Sequence, residues 1–139
     1  MSTDRASLKI LLVDDSDDDR CFFGWAFKNS GVTGEVLETE DGEEAIKLLS
    51  QMIAARTAPS ELPETMFLDL KMPGRNGFEV LQWIREQPAL KSLKVFVLTG
   101  SDAPSDMERA RELGANGYIV KPITAEKIGE MISAPGTGG

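Results

Sequence analysis

The feature that most constrains the fold is the regular alternation of short apolar runs with longer segments of helical period. This pattern is typical of repeated βα units around a parallel sheet. The five predicted strands are Leu8–Val13, Glu35–Thr39, Thr65–Asp69, Lys94–Thr99 and Gly117–Val120. The predicted helices cover roughly Asp17–Ser30, Gly42–Arg56, Gly77–Gln87, Ser105–Leu113 and Thr124–Ser133.

The strand composition indicates how the sheet is covered. Four predicted strands are largely apolar, as expected when helices pack on both faces of a sheet. The second strand, Glu35–Thr39, alternates polar and apolar residues and is expected at an edge. A chain of 139 residues suits one domain, which we assign to residues 8–133. Residues 1–7 and 134–139 have little to bury and are expected to be disordered.

Composition argues against several classes of function. Fifteen Lys and Arg against 23 Asp and Glu give a net charge of −8, the wrong sign for neutralising nucleic acid phosphates. No apolar run is long enough to cross a membrane or to act as a secretory signal. The single cysteine agrees with a reducing compartment, so we expect a cytoplasmic protein. The absence of histidine removes the commonest general base.

Charged and hydroxyl groups follow the carboxyl ends of the predicted strands. Asp14 and Asp15 close the first strand, Asp69 the third and Thr99 the fourth, and Lys121 follows the fifth. A doubly wound sheet of five strands commonly has the order 2-1-3-4-5, with its ligand site beyond strands one and three. Three carboxylates gathered there would repel one another unless a cation held them. Oxygen ligands of this kind suit Mg²⁺ or Mn²⁺.

The same groups are suited to phosphoryl transfer. A carboxylate such as that of Asp69 can attack phosphorus and form an aspartyl phosphate. The reaction depends mainly on positioning and charge neutralisation, which a divalent cation, a lysine and a hydroxyl can supply. Phosphoryl transfer to a carboxylate is therefore compatible with a chain that has no histidine.

The motifs together resemble the response-regulator receiver domain of two-component signalling. They are VDD at Val13–Asp15, LDLKMPGRNGFEVL at Leu68–Leu81, LTGS at Leu98–Ser101 and GYIVKP at Gly117–Pro122. The resemblance extends from about Leu8 to Ile132. It implies a flavodoxin-like α/β fold, a doubly wound parallel sheet in the order 2-1-3-4-5 with helices on both faces. It also implies a protein that catalyses only its own phosphorylation and autodephosphorylation.

The resemblance assigns the phosphoryl and metal contacts. Asp69 corresponds to the phosphoacceptor, and Thr99 and Lys121 to the hydroxyl and ammonium that contact the phosphoryl oxygens. Mg²⁺, with Mn²⁺ as the alternative ion, would be held at the same site. Its protein contacts would be Asp69, the direct ligand Asp15, the water-mediated ligand Asp14 and the backbone carbonyl of Lys71.

The resemblance also assigns residues to the switch and to the lifetime of the phosphate. Tyr118 corresponds to an aromatic residue that moves inward as Thr99 is drawn toward the phosphate. Lys71 and Ser101 occupy positions that tune the lifetime of the acyl phosphate. Pro73, Gly74 and Gly77 would shape the loop over the site.

The peptide bond between Lys121 and Pro122 is expected to be cis. Lys121 has to turn back toward Asp69 while the chain continues away into the fifth helix. A cis bond before proline reverses the chain at a cost of only about 0.5–1 kcal/mol.

The first predicted helix begins with acids and carries several aromatic residues. Asp17, Asp18 and Asp19 fall in its first turn, where the helix dipole favours negative charge, and we interpret them mainly as caps. Trp25 either covers the edge of the core or faces a partner. The buried side of the helix is expected to comprise Phe22, Phe23, Ala26 and Phe27.

The resulting hypothesis is a stand-alone signalling switch controlled by phosphorylation. Asp69 would accept a phosphoryl group from the phosphohistidine of a histidine kinase or a phosphotransfer protein. Phosphorylation would then change binding to an unidentified downstream protein, without an attached output domain. We expect a monomer, or a dimer that forms on phosphorylation, with neither nucleic acid nor membrane as a partner.

Two alternatives use related folds. A magnesium-dependent aspartyl-phosphate phosphatase also has an Asp nucleophile on a parallel sheet, but its motif places a second Asp where this chain has Lys71. A flavin or nucleotide binder would need a glycine-rich phosphate loop after the first strand, where residues 14–19 read DDSDDD and would repel a phosphate.

Overall fold

The computed structural model describes residues 8–58, 61–72, 74 and 76–133. The predictions of disorder at 1–7 and 134–139, and the loop role of Pro73, lie outside these residues. None of the helices in the described ranges is both long and apolar enough to cross a membrane.

Strands and helices alternate along the described chain as predicted. The strands are β1 Leu8–Val13, β2 Gly34–Thr39, β3 Thr65–Leu68, β4 Lys94–Thr99 and β5 Gly117–Val120. The helices are α1 Asp17–Lys28, α2 Gly42–Ala54, α3 Gly77–Arg85, α4 Pro104–Glu112 and α5 Ala125–Ser133. A short 3-10 helix at Pro88–Leu90, which the sequence pattern did not predict, lies between α3 and β4.

The helices α1 to α4 end one or two residues before their predicted boundaries. After α3, the amide of Glu86 donates to the Trp83 carbonyl with N and O 3.1 Å apart. The amide of Gln87 donates to the Ile84 carbonyl at 3.0 Å. Both bonds span three residues instead of four, so the last turn tightens and the α-helix stops. Periodicity of apolar residues does not reveal this change.

The five strands are parallel and lie in the order β2-β1-β3-β4-β5. This confirms the predicted order and the edge position of the alternating second strand. Because the order reverses beside β1, the loops after β1 and β3 leave the sheet toward opposite faces and open a crevice between them. The predicted ligand site lies at this crevice.

The backbone ladder continues beyond the strands into the residues of the predicted site. The amide of Asp69 donates to the Val13 carbonyl with N and O 3.0 Å apart. The amide of Lys121 donates to the Thr99 carbonyl at 2.8 Å, and that of Asp14 donates to a β2 carbonyl at 3.1 Å. The sheet therefore fixes the backbone of these residues along one rim.

The core lies in two layers, one on each face of the sheet. Leu11 and Val13 pack with α2 and α3, whereas Ile10 and Leu12 pack with α1 and α5. This alternation follows from the opposite directions of successive side chains in a strand. Ala110 of α4 belongs to a smaller cluster with Val97. Helices thus cover both faces, as predicted.

The exposed side of α1 differs from the prediction. Phe23, Ala26 and Phe27 are buried, but Phe22 is 43 % exposed, so its assignment to the buried side is wrong. Trp25 is 60 % exposed and stacks on Phe22 with ring centroids 6.1 Å apart, so it does not cover the core. Phe23, Ala26 and Phe27 pack in the core cluster beneath α1, whereas Phe22 lies at the edge of this buried stripe.

Candidate functional site

Three carboxylates converge at the carboxyl ends of β1 and β3. Asp14 and Asp69 are buried, and Asp15 is exposed. One carboxylate oxygen from each residue can be chosen so that all three lie within 4.8 Å of one another. Mg²⁺ and Mn²⁺ prefer such hard oxygen donors. The residues present therefore fit a divalent cation at the place where the sequence predicts one.

Lys121 reaches across the rim to these carboxylates. Its Nζ lies 2.8 Å from Oδ2 of Asp14 and 3.0 Å from Oδ2 of Asp69. It also lies 2.6 Å from Oδ2 of Asp19. The peptide bond between Lys121 and Pro122 is cis, which is the geometry expected from the sequence.

The contact between Lys121 and Asp19 was not predicted. The acids of the first helical turn were interpreted mainly as caps, but Asp19 also forms an ion pair at the rim. Helical side chains point back toward the N-terminus of their helix, so a carboxylate in the first turn of α1 can lean toward the end of β1. The position of Asp19 one helical turn after Asp15 is the sequence signal that could have indicated this contact.

Burial and ion pairing act on the acid–base properties of this cluster in opposite directions. Burial alone would lower the pKa of Lys121, but hydrogen bonds to Asp14, Asp19 and Asp69 outweigh it and raise that pKa. Burial raises the pKa of Asp14, against the lowering effect of its hydrogen bonds from Lys121 and the Ser16 amide. The Lys121 ammonium is therefore charged at neutral pH.

Short-range hydrogen bonds hold the two buried carboxylates in place. The Ser16 amide donates to Oδ1 of Asp14 with N and O 3.0 Å apart. The Lys71 amide donates to Oδ1 of Asp69 at 3.3 Å. The side chain of Lys71 is exposed, and the predicted metal contact through its carbonyl stays a prediction.

Arg20 is a further site residue that sequence reasoning missed. Its buried guanidinium donates from Nη1 to the Asp14 carbonyl oxygen at 2.6 Å. It also pairs with Asp17, and its Nε lies 3.4 Å from Oε1 of Glu38. Arg20 thus connects α1 to the ends of β1 and β2. A single arginine in an acidic segment gives no sequence signal for this role.

The packing of α3 against the site requires glycine at position 77. A Cβ on Gly77 would lie 2.3 Å from the Asp69 carbonyl oxygen and 2.8 Å from Cα of Leu70. These distances are too short for any side chain. The Gly77 amide donates to the Leu70 carbonyl at 3.0 Å, which fixes the start of α3 beside Asp69.

The hydroxyl groups near β4 and β5 differ from the carboxylates in their hydrogen-bond partners. Thr99 is buried, and within the described ranges its Oγ1 is the one buried side-chain polar atom without a hydrogen-bond partner. The Tyr118 hydroxyl donates to the Ser101 carbonyl at 2.9 Å. The Ser101 hydroxyl donates to Oδ2 of Asp106 at 2.7 Å.

The structure brings part of the predicted site into direct contact. Asp14, Asp69 and Lys121 are joined by ion pairs, and Asp15 lies beside them. Tyr118 makes its hydrogen bond at the loop after β4 instead. The catalytic and switch roles assigned to these residues stay predictions.

Comparison with known families assigns this five-stranded parallel sheet, with an acidic crevice at its reversal point, to one class of signalling domains. The chain belongs to the response regulator receiver domain family, whose profile matches residues 10–133. The response regulator Rcp1 of Synechocystis sp. is 33 % identical over 123 residues, which cover 88 % of this chain and 82 % of Rcp1.

Solved structures agree with this assignment. The bacteriophytochrome response regulator RtBRR superposes with a TM-score of 0.79 at 34 % identity, covering 96 % of this chain and 80 % of that one. The Mn²⁺-bound form of Rcp1 superposes with a TM-score of 0.75 at 32 % identity, covering 92 % and 93 %. A related receiver domain thus binds a divalent metal ion.

Proposed function

We propose that this protein is a phosphorylation-controlled signalling switch in which Asp69 accepts the phosphoryl group. The donor is the phosphohistidine of a histidine kinase or a phosphotransfer protein, and the readout is altered binding to a downstream protein. The observation that carries the proposal is the position of the Lys121 ammonium, 3.0 Å from one oxygen of the buried Asp69 carboxylate. This arrangement pairs a carboxylate nucleophile with a fixed positive charge.

In the proposed reaction, a carboxylate oxygen of Asp69 attacks the phosphorus atom of the phosphohistidine. The new P–O bond forms as the P–N bond breaks. The electron pair of the P–N bond returns to the imidazole nitrogen of the donor. Lys121 and the Thr99 hydroxyl donate hydrogen bonds to the phosphoryl oxygens. Such donors are effective because they are already in position when charge develops.

A divalent cation is part of the proposal. Asp15 and Asp69, with the Lys71 carbonyl, would hold Mg²⁺ or Mn²⁺, and Asp14 would assist through water. When bound, the cation neutralises phosphoryl charge. The clustering of the three acids within 4.8 Å supports this assignment.

The switch itself is proposed to begin at Thr99. Its buried hydroxyl lacks a partner in the described structure, so a phosphoryl oxygen would satisfy it. Movement of the loop after β4 would then release Tyr118 from the Ser101 carbonyl. A group that interacts more strongly with one conformation than with the other shifts the population toward that conformation.

The setting of the switch completes the proposal. We expect it to act in the cytoplasm, where its single cysteine would stay reduced. It turns over no separate substrate, and it works as a monomer or as a dimer that forms on phosphorylation. The phosphatase alternative is disfavoured because position 71 holds lysine instead of a second aspartate.

Phosphorylation by a small donor tests the proposal. Incubation with Mg²⁺ and acetyl phosphate should add one phosphoryl group to the wild-type protein, measured by intact-mass spectrometry. Asp69→Asn should abolish the adduct. Asp102→Asn removes the same charge from an exposed position and should leave the adduct unchanged. An adduct that persists in Asp69→Asn would overturn the assignment of the phosphoacceptor.

A further inference from the structure

Lys121 contacts three carboxylates in the unphosphorylated protein. An ammonium group has three N–H donors. The Nζ atom contacts three carboxylates, with 2.8 Å to Asp14, 2.6 Å to Asp19 and 3.0 Å to Asp69. Phosphorylation converts the Asp69 carboxylate into an acyl phosphate, so a phosphoryl oxygen that reaches Nζ would compete with Asp14 and Asp19.

Asp14 and Asp19, the two carboxylates that phosphorylation leaves unmodified, differ in how easily they can leave Lys121. The side chain of Asp14 is only 2 % exposed, so it would lose the ammonium while buried. The side chain of Asp19 is 44 % exposed and can exchange the ammonium for water. Asp19 is thus the carboxylate that costs least to release.

We propose that Asp19 is a positioning residue that holds Lys121 in the unphosphorylated state and opposes the phosphorylated state. This inference rests on the proposed phosphorylation of Asp69. Asp19 competes with the phosphoryl group for the same ammonium, and its negative charge repels the incoming anion. Both effects disfavour the phosphorylated state, because an interaction that stabilises only the unphosphorylated state lowers the population of the phosphorylated one.

Asp18 provides a matched control for this proposal. Asp18 and Asp19 are neighbours in the first turn of α1, so each contributes similar charge to the helix terminus. Asp18 is exposed, and the ion pair with Lys121 comes from Asp19. A difference between the two asparagine variants therefore reports the contact with Lys121 instead of net charge.

The first test measures the equilibrium affinity for beryllium trifluoride with Mg²⁺, a phosphoryl mimic, by amide chemical shifts. Asp19→Asn should bind the mimic about two- to fivefold more tightly than Asp18→Asn, the range expected for one partly exposed ion pair. Asp19→Glu keeps the charge and should bind like wild type. Asp19→Ser serves as a second neutral variant should the asparagine variant fold poorly.

The second test measures the rate of phosphorylation by acetyl phosphate at low and high salt. The advantage of Asp19→Asn should persist at high salt, because contact between partly buried groups is screened less than long-range repulsion. Mn²⁺ affinity should be equal in Asp18→Asn and Asp19→Asn, since Asp19 contacts lysine. A selective loss of Mn²⁺ binding in Asp19→Asn would instead make it a metal ligand and overturn the proposal.

Equal or weaker mimic binding in Asp19→Asn than in Asp18→Asn would also overturn the role of Asp19. In that case a phosphorylated wild type would leave the proposed function of Asp69 standing. A wild type that neither binds the mimic nor accepts phosphate would overturn both inferences. The two failures are therefore distinguishable.

Discussion

The rim of the sheet has two halves whose polar groups are satisfied in different ways. The charged half consists of Asp14, Asp69 and Lys121, where each buried carboxylate has the ammonium as a partner. The hydroxyl half consists of Thr99 and Tyr118. There the Thr99 hydroxyl is buried without a partner in the described structure, and the Tyr118 hydroxyl is bonded to a loop carbonyl.

This difference indicates which half responds to phosphorylation. Buried polar groups are normally hydrogen-bonded, so the buried Thr99 hydroxyl is suited to bond a phosphoryl oxygen brought to the rim. The charged half already has its donors and acceptors in position, which favours rapid chemistry. We infer that the charged half carries out the transfer and that the hydroxyl half reports it.

The largest effect is expected from removing the ammonium of the charged half. Lys121→Met should slow phosphorylation by acetyl phosphate about 10²-fold or more, the scale seen when one preorganised donor is lost. Lys127→Met removes an exposed lysine of α5 and should leave the rate unchanged. The rate is followed by intact-mass spectrometry with time.

Retained Mn²⁺ binding would show that Lys121→Met is folded, because the ion can bind only if the three acids of the cluster keep their positions. The substitution removes an ammonium that competes with the metal ion for these acids. A phosphorylation rate close to wild type in that folded variant would contradict the separation of roles. Transfer would then not depend on the ammonium of the charged half.

A smaller effect is expected from Asp15, the exposed member of the acidic cluster. Asp15→Ala should weaken Mn²⁺ binding by about tenfold or more, because it would remove one of the few proposed oxygen ligands. Asp18→Ala should change the affinity much less, since Asp18 lies outside the acidic cluster. Calorimetric titration measures both. Equal losses would place the metal ion at the start of α1 instead.

Sequence reasoning predicted the sheet and most of the rim for the same physical reason. Apolar runs mark strands covered on both faces, and Asp14, Asp69 and Lys121 directly follow such runs. Parallel strands in register then place these residues together. The acidic cluster could therefore be predicted before any coordinates, whereas the strand order was predicted from the common order of doubly wound sheets and from the family resemblance.

The contacts of α1 could not be predicted in the same way. The ion pair of Asp19 and the buried position of Arg20 depend on how α1 is placed relative to the rim. Apolar periodicity gives the buried side of a helix only to within about one residue, which is why Phe22 was misassigned. Tertiary packing, and not local pattern, decides these side chains.

The most direct test of the two-half account is the amide chemical-shift response of Thr99→Ala to beryllium trifluoride with Mg²⁺. The variant should bind the mimic and shift the amides around Asp69 as wild type does. It should lose the wild-type shifts at Ser101 and Tyr118, because the hydroxyl that couples the halves is absent. Wild-type shifts at both halves in Thr99→Ala would contradict the account.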